Sequence, residues 1–407
     1  MMRAVKNLIA SAALLLTVLA PSTNAASLVQ ITENFGPNPT KVGFYIYVPD
    51  VLAAKPAILV NPHWCHGTAS AAYAGSQYAT LAAKYGYIVI YPNSPNAADQ
   101  CWDLSSSQTL THDGGGDSQG IVSMVKWTIA KYNADASRVF VTGVSSGGMM
   151  TNVLIGSYPD VFAAGSAWAG VPFGCYAAPG NNSGVYGYWN SQCASGNVTH
   201  TPAEWKAIVQ AAYPGYRGWR PKMQTFHGTS DETVNYVNFG EQVKEWTAVL
   251  GLSQTPVSTT LNTPLSGWTK TSYGPSGWFE AYSAAGVTHN IQVQADTVVA
   301  FFQLSCSAGC FSWGQGSPSG AVPPVSPLTT STRLTTSIPV AISTTKISTS
   351  TASSTHSAVT ATTTPATTVQ SLYGQCGGIG YAGPTACAAA KCSSYNAYYS
   401  QCVPTAV

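Results

Sequence analysis

The chain has 407 residues, of which only 8% are charged, and its net charge is +2. So weak a field, with no basic run, excludes electrostatic capture of nucleic acid. Eleven Trp and 22 Tyr suit contact with a neutral polymer such as carbohydrate. At the start, Arg3 and Lys6 precede an apolar run from Leu8 to Ala20 and the small residues Pro21 to Ala25. This order reads as a secretory signal over residues 1–25, cleaved near Ala25 or Ala26, and the run is too short to span a bilayer. No later stretch is long and apolar enough to do so. The mature protein is therefore expected outside the cell, off the membrane, and as a monomer. Ten cysteines then suggest five disulfides.

Three regions follow. Residues 26–313 have globular composition and enough length for one large core. Residues 314–370 do not: between Ala321 and Gln370, 25 of 50 residues are Ser or Thr, which reads as an extended, O-glycosylated linker. Residues 371–407 carry four cysteines and read as a small disulfide-stapled module. Within 26–313, Pro56–Val60 and Tyr87–Tyr91 read as buried strands. Ile121–Tyr132 has helical spacing, and Arg138–Thr142 is a strand. Ala164–Ala169 and Met223–His227 are further short strands, with helices over Phe239–Leu250 and Asp296–Leu304. The alternation predicts an α/β fold with a mostly parallel sheet and helices on both faces.

The stretch with the most chemical content is Val139 to Gly148. A β-branched run leads into Gly143-Val144-Ser145-Ser146-Gly147, and an apolar segment follows from Met149 to Leu154. This is the strand–turn–helix setting that exposes a nucleophilic serine on a sharp elbow and leaves the next amide, that of Ser146, at a helix start. Gly116-Asp117-Ser118-Gln119-Gly120 fits the same pattern without a strand in front, so Ser118 reads as a residue near the start of a helix over 118–131. The elbow serine needs a base, and the base an orienting carboxylate. Asp231, in the loop after the 223–227 strand, is the candidate acid. His289, before the last helix, is the candidate base, with His227 as its nearest rival. The order Ser145, Asp231, His289 is that of α/β-hydrolases. A second oxyanion donor should come from the loop after an early strand, here Val60 to Thr68, and the Cys65 amide is the candidate. His63 and His66 are spaced like a metal pair, but no acid or cysteine completes a ligand set. Neither metal nor cofactor is expected.

Longer motifs carry a resemblance. They are Cys-His-Gly-Thr at 65–68, Cys-Trp-Asp at 101–103, and Leu-Thr-His-Asp-Gly-Gly-Gly-Asp-Ser at 110–118. Val-Thr-Gly-Val-Ser-Ser-Gly-Gly-Met-Met-Thr-Asn-Val at 141–153 and Tyr-Pro-Asp-Val-Phe-Ala-Ala-Gly at 158–165 extend it, as do Gly-Val-Pro-Phe-Gly-Cys at 170–175, His-Gly-Thr-Ser-Asp at 227–231 and Gly-Val-Thr-His at 286–289. Residues 27–305 thereby resemble the fungal carbohydrate esterases of family 1, which include acetylxylan esterases and type B feruloyl esterases and are related to polyhydroxybutyrate depolymerases. The resemblance implies triad roles for Ser145, Asp231 and His289, and oxyanion roles for Cys65 and Ser146. It implies two-step acyl transfer on acetylated xylan, with feruloylated xylan as the alternative substrate. Two departures stand out: Gly148 occupies a position where relatives often have Ala, and Asn61-Pro62 precedes the oxyanion loop.

The last region resembles a fungal family 1 cellulose-binding module over its whole length, through Tyr373-Gly374-Gln375-Cys376-Gly377-Gly378 and Asn396-Ala397-Tyr398-Tyr399-Ser400-Gln401-Cys402. The resemblance implies that Tyr373, Tyr398 and Tyr399 form a flat strip on a cellulose surface, with Asn396 and Gln401 as hydrogen-bonding partners. It also implies bridges Cys376–Cys392 and Cys387–Cys402. The other six cysteines allow 15 pairings, among which Cys306–Cys310, Cys65–Cys101 and Cys175–Cys193 are the expected set. Asn181 and Asn197 head N-glycosylation sequons and are expected on surface loops. Besides the two esterase readings, a cellulose-binding protein with a decayed catalytic domain and a polyester depolymerase are the competing hypotheses. A complete triad weighs against the first and the cellulose-binding module against the second.

Overall fold

The computed structural model describes residues 26–177 and 189–316 and, in the last region, residues 369, 375–377, 385–388, 390–396 and 399–403. In chain order the first of these stretches holds β1 (Leu28–Ile31), β2 (Gly43–Tyr47), β3 (Ile58–Val60), α1 (Ala69–Gly75), α2 (Tyr78–Tyr85) and β4 (Ile88–Asn93). It continues with α3 (Ser107–Leu110), α4 (Asp117–Tyr132), β5 (Val139–Val144), α5 (Ser146–Ser157) and β6 (Ala164–Trp168). The second holds α6 (Ser191–Ala194), α7 (Pro202–Ala211), β7 (Lys222–Gly228), α8 (Val237–Leu250), β8 (Ser258–Leu261), β9 (Trp268–Tyr273), β10 (Phe279–Ala284) and α9 (Ala295–Phe302).

Ten strands form one sheet in the order β1-β2-β4-β3-β5-β6-β7-β10-β9-β8. The middle, from β4 to β10, is parallel throughout. Both flanks are antiparallel: β1 and β2 on one side, β8 and β9 on the other. The expected parallel sheet is thus the centre of a wider mixed one, in an α/β-hydrolase fold. Burial explains the division. β3 and β6 are buried at every residue and β4 and β5 at all but the last, as parallel strands covered on both faces must be. The edge strand β8, Ser-Thr-Thr-Leu, is exposed throughout and rich in β-branched polar residues instead.

Helix α5 has no polar face; all twelve of its residues are buried. That is the pattern of a helix enclosed by protein. Its small residues allow it to lie against β5 and β6. Helix α8 buries polar side chains, and a network absorbs Gln242: it accepts from Asn152 Nδ2 at 2.9 Å and from Thr225 Oγ1 at 3.1 Å, and donates to the Gly170 carbonyl. The Gly316 carbonyl accepts the Trp219 indole N–H. In the last region, Gln375–Gly377, Lys391–Asn396 and Tyr399–Val403 make a small antiparallel sheet with the third of these central. Cys376–Cys392 and Cys387–Cys402 bridge it. No helix among the described residues is long and apolar enough to cross a membrane.

Candidate active site

Four loops at the carboxyl ends of parallel strands converge: that after β3 (residues 61–68), the elbow after β5, that after β7 (229–234), and that after β10 (285–294). This is the edge where open α/β sheets bind ligands. Ser145 lies between β5 and α5 with φ 56° and ψ −122°, a strained conformation for a residue with a side chain. Its amide donates to the Trp168 carbonyl on β6 at 2.8 Å and its carbonyl accepts from Met149, so both neighbouring elements hold the turn.

The turn requires glycine because three backbones meet there. A Cβ on Gly147 would lie 2.1 Å from the Pro62 carbonyl oxygen and 2.9 Å from that of His63. Gly148 similarly lets α5 approach β6 so closely that a Cβ would stand 2.4 Å from the Trp168 carbonyl oxygen. Gly147→Ala should therefore displace the 61–68 loop, lowering kcat by about 100-fold and stability by about 1–3 kcal/mol. Aryl-acetate kinetics and chemical denaturation would show both losses, and an unaltered kcat would refute the close-approach argument.

Ser145, His289 and Asp231 are brought together. His289 Nε2 is 2.9 Å from Ser145 Oγ, and its Nδ1 is 2.8 and 3.0 Å from the two carboxylate oxygens of Asp231. The Asp231 side chain is fully buried and that of His289 is 18% exposed. Burial raises the Asp231 carboxyl pKa, but hydrogen bonds from His227 and His289 outweigh it and hold the group well below the usual carboxylate range. Amides of Thr233 and Val234 add donors to Oδ1 at 3.0 and 2.7 Å. The 285–294 loop is strapped to the 229–234 loop: Gly286 N donates to Thr229 Oγ1, Ser230 N to the Val287 carbonyl, and His289 N to Glu232 Oε2.

Cys65 and Ser146 border the same cleft as Ser145. Ser146 opens α5, so no intrahelical carbonyl is available to its amide. The 61–68 loop is held against the elbow by residues of the Cys-Trp-Asp motif. Cys101 is disulfide-bonded to Cys65. The Trp102 amide donates to Ser146 Oγ at 2.9 Å, and its indole N–H to the His63 carbonyl at 2.7 Å. Asp103 accepts from the Ser105 and Ser106 amides and from the Thr109 hydroxyl, fixing the turn that follows.

His63 is fully buried, with Nε2 accepting from Ser94 N at 3.0 Å and Nδ1 facing the Trp64 carbonyl at 2.7 Å. Burial lowers its pKa to about 4 despite the Trp64 carbonyl contact. Both ring nitrogens are thus engaged by backbone, as a structural imidazole's would be. Ser118 is buried in α4, its hydroxyl donating to the Thr109 carbonyl at 2.7 Å.

A cleft opens beside Ser145. Trp102, Leu104, Met149, Tyr176 and Trp189 wall it, with Asp99 at one side. The Tyr176 and Trp189 rings meet edge to face at 5.6 Å. None of these side chains is singled out by sequence reasoning. The signal available is adjacency: Trp102 and Tyr176 each follow a half-cystine, and Cys175 is bonded to Cys193. A third bridge, Cys306–Cys310, closes a short loop after α9. Asn197 is exposed. Asn181, Tyr373 and Tyr398 lie outside the described residues, while Asn396, Tyr399 and Gln401 lie on the strands of the small sheet.

The fold and the relatives that follow together define a carboxylic ester hydrolase of the α/β-hydrolase fold. Residues 42–185 match the family model of esterase PHB depolymerases, and residues 372–399 that of the fungal cellulose binding domain. Acetylxylan esterase A of Emericella nidulans is 52% identical over 276 residues, which are 68% of this chain and 88% of that one. Feruloyl esterase B of Talaromyces stipitatus is 48% identical over 292 residues, covering 72% and 80% respectively. The solved acetyl xylan esterase from Aspergillus awamori superimposes with a TM-score of 0.65 at 47% identity, covering 68% of this chain and 99% of that one. The chain belongs to the fungal carbohydrate esterase family 1 of acetylxylan and type B feruloyl esterases, and carries a C-terminal family 1 cellulose-binding module.

Proposed function

We propose that the protein is a secreted acetylxylan esterase, delivered by residues 1–25 and carried to plant cell wall by the module at 371–407 on the linker at 314–370. Ser145 Oγ attacks the acetyl carbonyl while His289 Nε2 takes its proton, and Asp231 steadies the imidazolium through Nδ1–H. The oxyanion is met by the Cys65 and Ser146 amides. His289 then protonates the departing xylose oxygen. In the second half His289 deprotonates a water, which attacks the acyl-serine; acetic acid leaves and Ser145 regains its proton.

The observation that carries the choice of acyl group is kinship: the acetylxylan esterase of Emericella nidulans is 52% identical and the solved one of Aspergillus awamori 47%. Ferulate is the second reading, favoured by the aromatic wall and by the feruloyl esterase among the relatives. Purified enzyme given acetylated xylan and methyl ferulate at equal ester concentration should release acetate at least about tenfold faster, a barrier difference of about 1.4 kcal/mol. Ferulate release outrunning acetate would overturn the choice.

A further inference from the structure

We infer that His227 is a positioning residue of the esterase, clamping the Asp231 carboxylate in the orientation that His289 requires. The inference rests on the triad reading given above. His227 is the second-last residue of β7 and its side chain is fully buried. Its Nε2 lies 2.9 Å from the Val234 carbonyl oxygen and 3.1 Å from Asp231 Oδ2. Both neighbours only accept, so Nε2 carries the proton and shares it between them. Nδ1 has no hydrogen-bond partner. An unpartnered buried nitrogen makes imidazole a poor packing residue, so its value at this position lies in Nε2.

Oδ2 is also the carboxylate oxygen nearest His289 Nδ1, at 2.8 Å. The other oxygen is fixed by the Thr233 and Val234 amides. Val234 therefore touches both partners, through its N–H to Asp231 and its C=O to His227, and the three residues close a ring. Without the imidazole, one oxygen of the acid would be held by main chain and the other by the moving base alone.

The clamp also shares the charge of the acid. Among the described residues the titratable groups around this pair are Asp231 and His289, Glu232, which holds the His289 amide, and Tyr236. The Tyr236 ring lies 6.0 Å from His227 and its hydroxyl donates to Ser283. Removing the His227 donor leaves more negative charge on Oδ2 for His289. The base then holds its proton more tightly, and the acid limb of kcat/KM moves to higher pH.

The test uses the full-length enzyme with an aryl acetate. His227→Leu keeps bulk without a donor. His227→Asn places its amide where Nδ1 was, out of reach of Asp231. His227→Gln can place an amide N–H near the lost Nε2–H. Leu and Asn are expected to lower kcat about 10- to 100-fold at nearly constant KM and to raise the acid limb, while Gln restores most of both. The His289–Asp231 proton resonance should weaken in the first two and return in the third. Should the Leu variant fail to fold, Asn against Gln decides. A folded Leu or Asn variant with wild-type kcat and acid limb overturns the inference, as does a Gln variant as impaired as Asn. Asp231→Ala in parallel separates the two claims: if it stays active the triad reading fails, whereas if it is inactive with the His227 variants unaffected only the positioning role fails.

Discussion

Replacing Ser145 by alanine is expected to lower ester hydrolysis by about four to six orders of magnitude, or about 5–8 kcal/mol of barrier. The residue stands where β5 gives way to α5, with its hydroxyl 2.9 Å from His289 Nε2. Alanine keeps the backbone strain and the amide to Trp168 but removes the only atom that can bond to the acyl group. The Ser146 amide and the 61–68 loop remain, so a trace of oxyanion stabilisation should survive. Retention on cellulose should be unchanged, because the proposed binding strip belongs to the C-terminal module. Initial rates and pull-down on crystalline cellulose, measured on the same preparation, would check both halves. A Ser145→Ala enzyme within tenfold of wild type would mean that the nucleophile has been misassigned.

The second large effect is expected at the acid. Asp231→Asn should cost about four orders of magnitude in kcat, because an amide in place of the carboxylate favours the wrong tautomer of the base. Here the substitution carries an extra penalty. The carboxylate receives donors from His289, His227, Thr233 and Val234, and an Asn NH2 must face at least one of them. A donor facing a donor inside the protein should lower stability by about 1–3 kcal/mol. The pH dependence has a defined sign. The acid's pKa is depressed in the fold, so the stabilisation it brings is present above the unfolded carboxylate value of about 3.9 and is lost as pH falls through the folded one. The stability gap between wild type and Asp231→Asn should therefore be widest near neutrality and shrink below about pH 4. Denaturation midpoints across that range would show it, and a gap that grew on acidification would contradict the hydrogen-bonding argument.

What could be read from the chain differs between local and distributed features. The elbow is legible because its requirements are local: a β-branched run, glycines where backbones touch, and an apolar helix, all within Val139 to Leu154. The meeting of Asp231 and His289 beside Ser145 is legible through their order along the chain and their places after strands. The strand that carries the base is not. β10, Phe-Glu-Ala-Tyr-Ser-Ala, is broken by Glu280 and Ser283, so no continuous apolar run marks it, although Phe279, Ala281, Tyr282 and Ala284 are buried in the fold. The β8–β9 hairpin is hidden because β8 is polar and exposed throughout, so no apolar run marks it. The start of α7 was within reach, since Thr201-Pro202-Ala203-Glu204 spells a capping box with proline in the first turn, and both reciprocal bonds form. The cleft wall is distributed furthest. Trp102, Met149, Tyr176 and Trp189 come from separate segments, and no spacing rule unites them before the chain is folded.

The pairing of β7 with β10 makes catalytic alignment an all-or-none quantity. Six residue pairs, from Phe279 with Met223 to Ala284 with Gly228, set the register between the strand that ends in the acid and the strand that ends in the base. A slip of one residue would carry His289 about 3.3 Å along the sheet and turn alternate side chains to the opposite face. Such a step exceeds the tolerance of a hydrogen bond near 2.8 Å. A misregistered chain would have no weakened relay to inherit, so the fraction of active molecules in a preparation would count correctly zipped sheets.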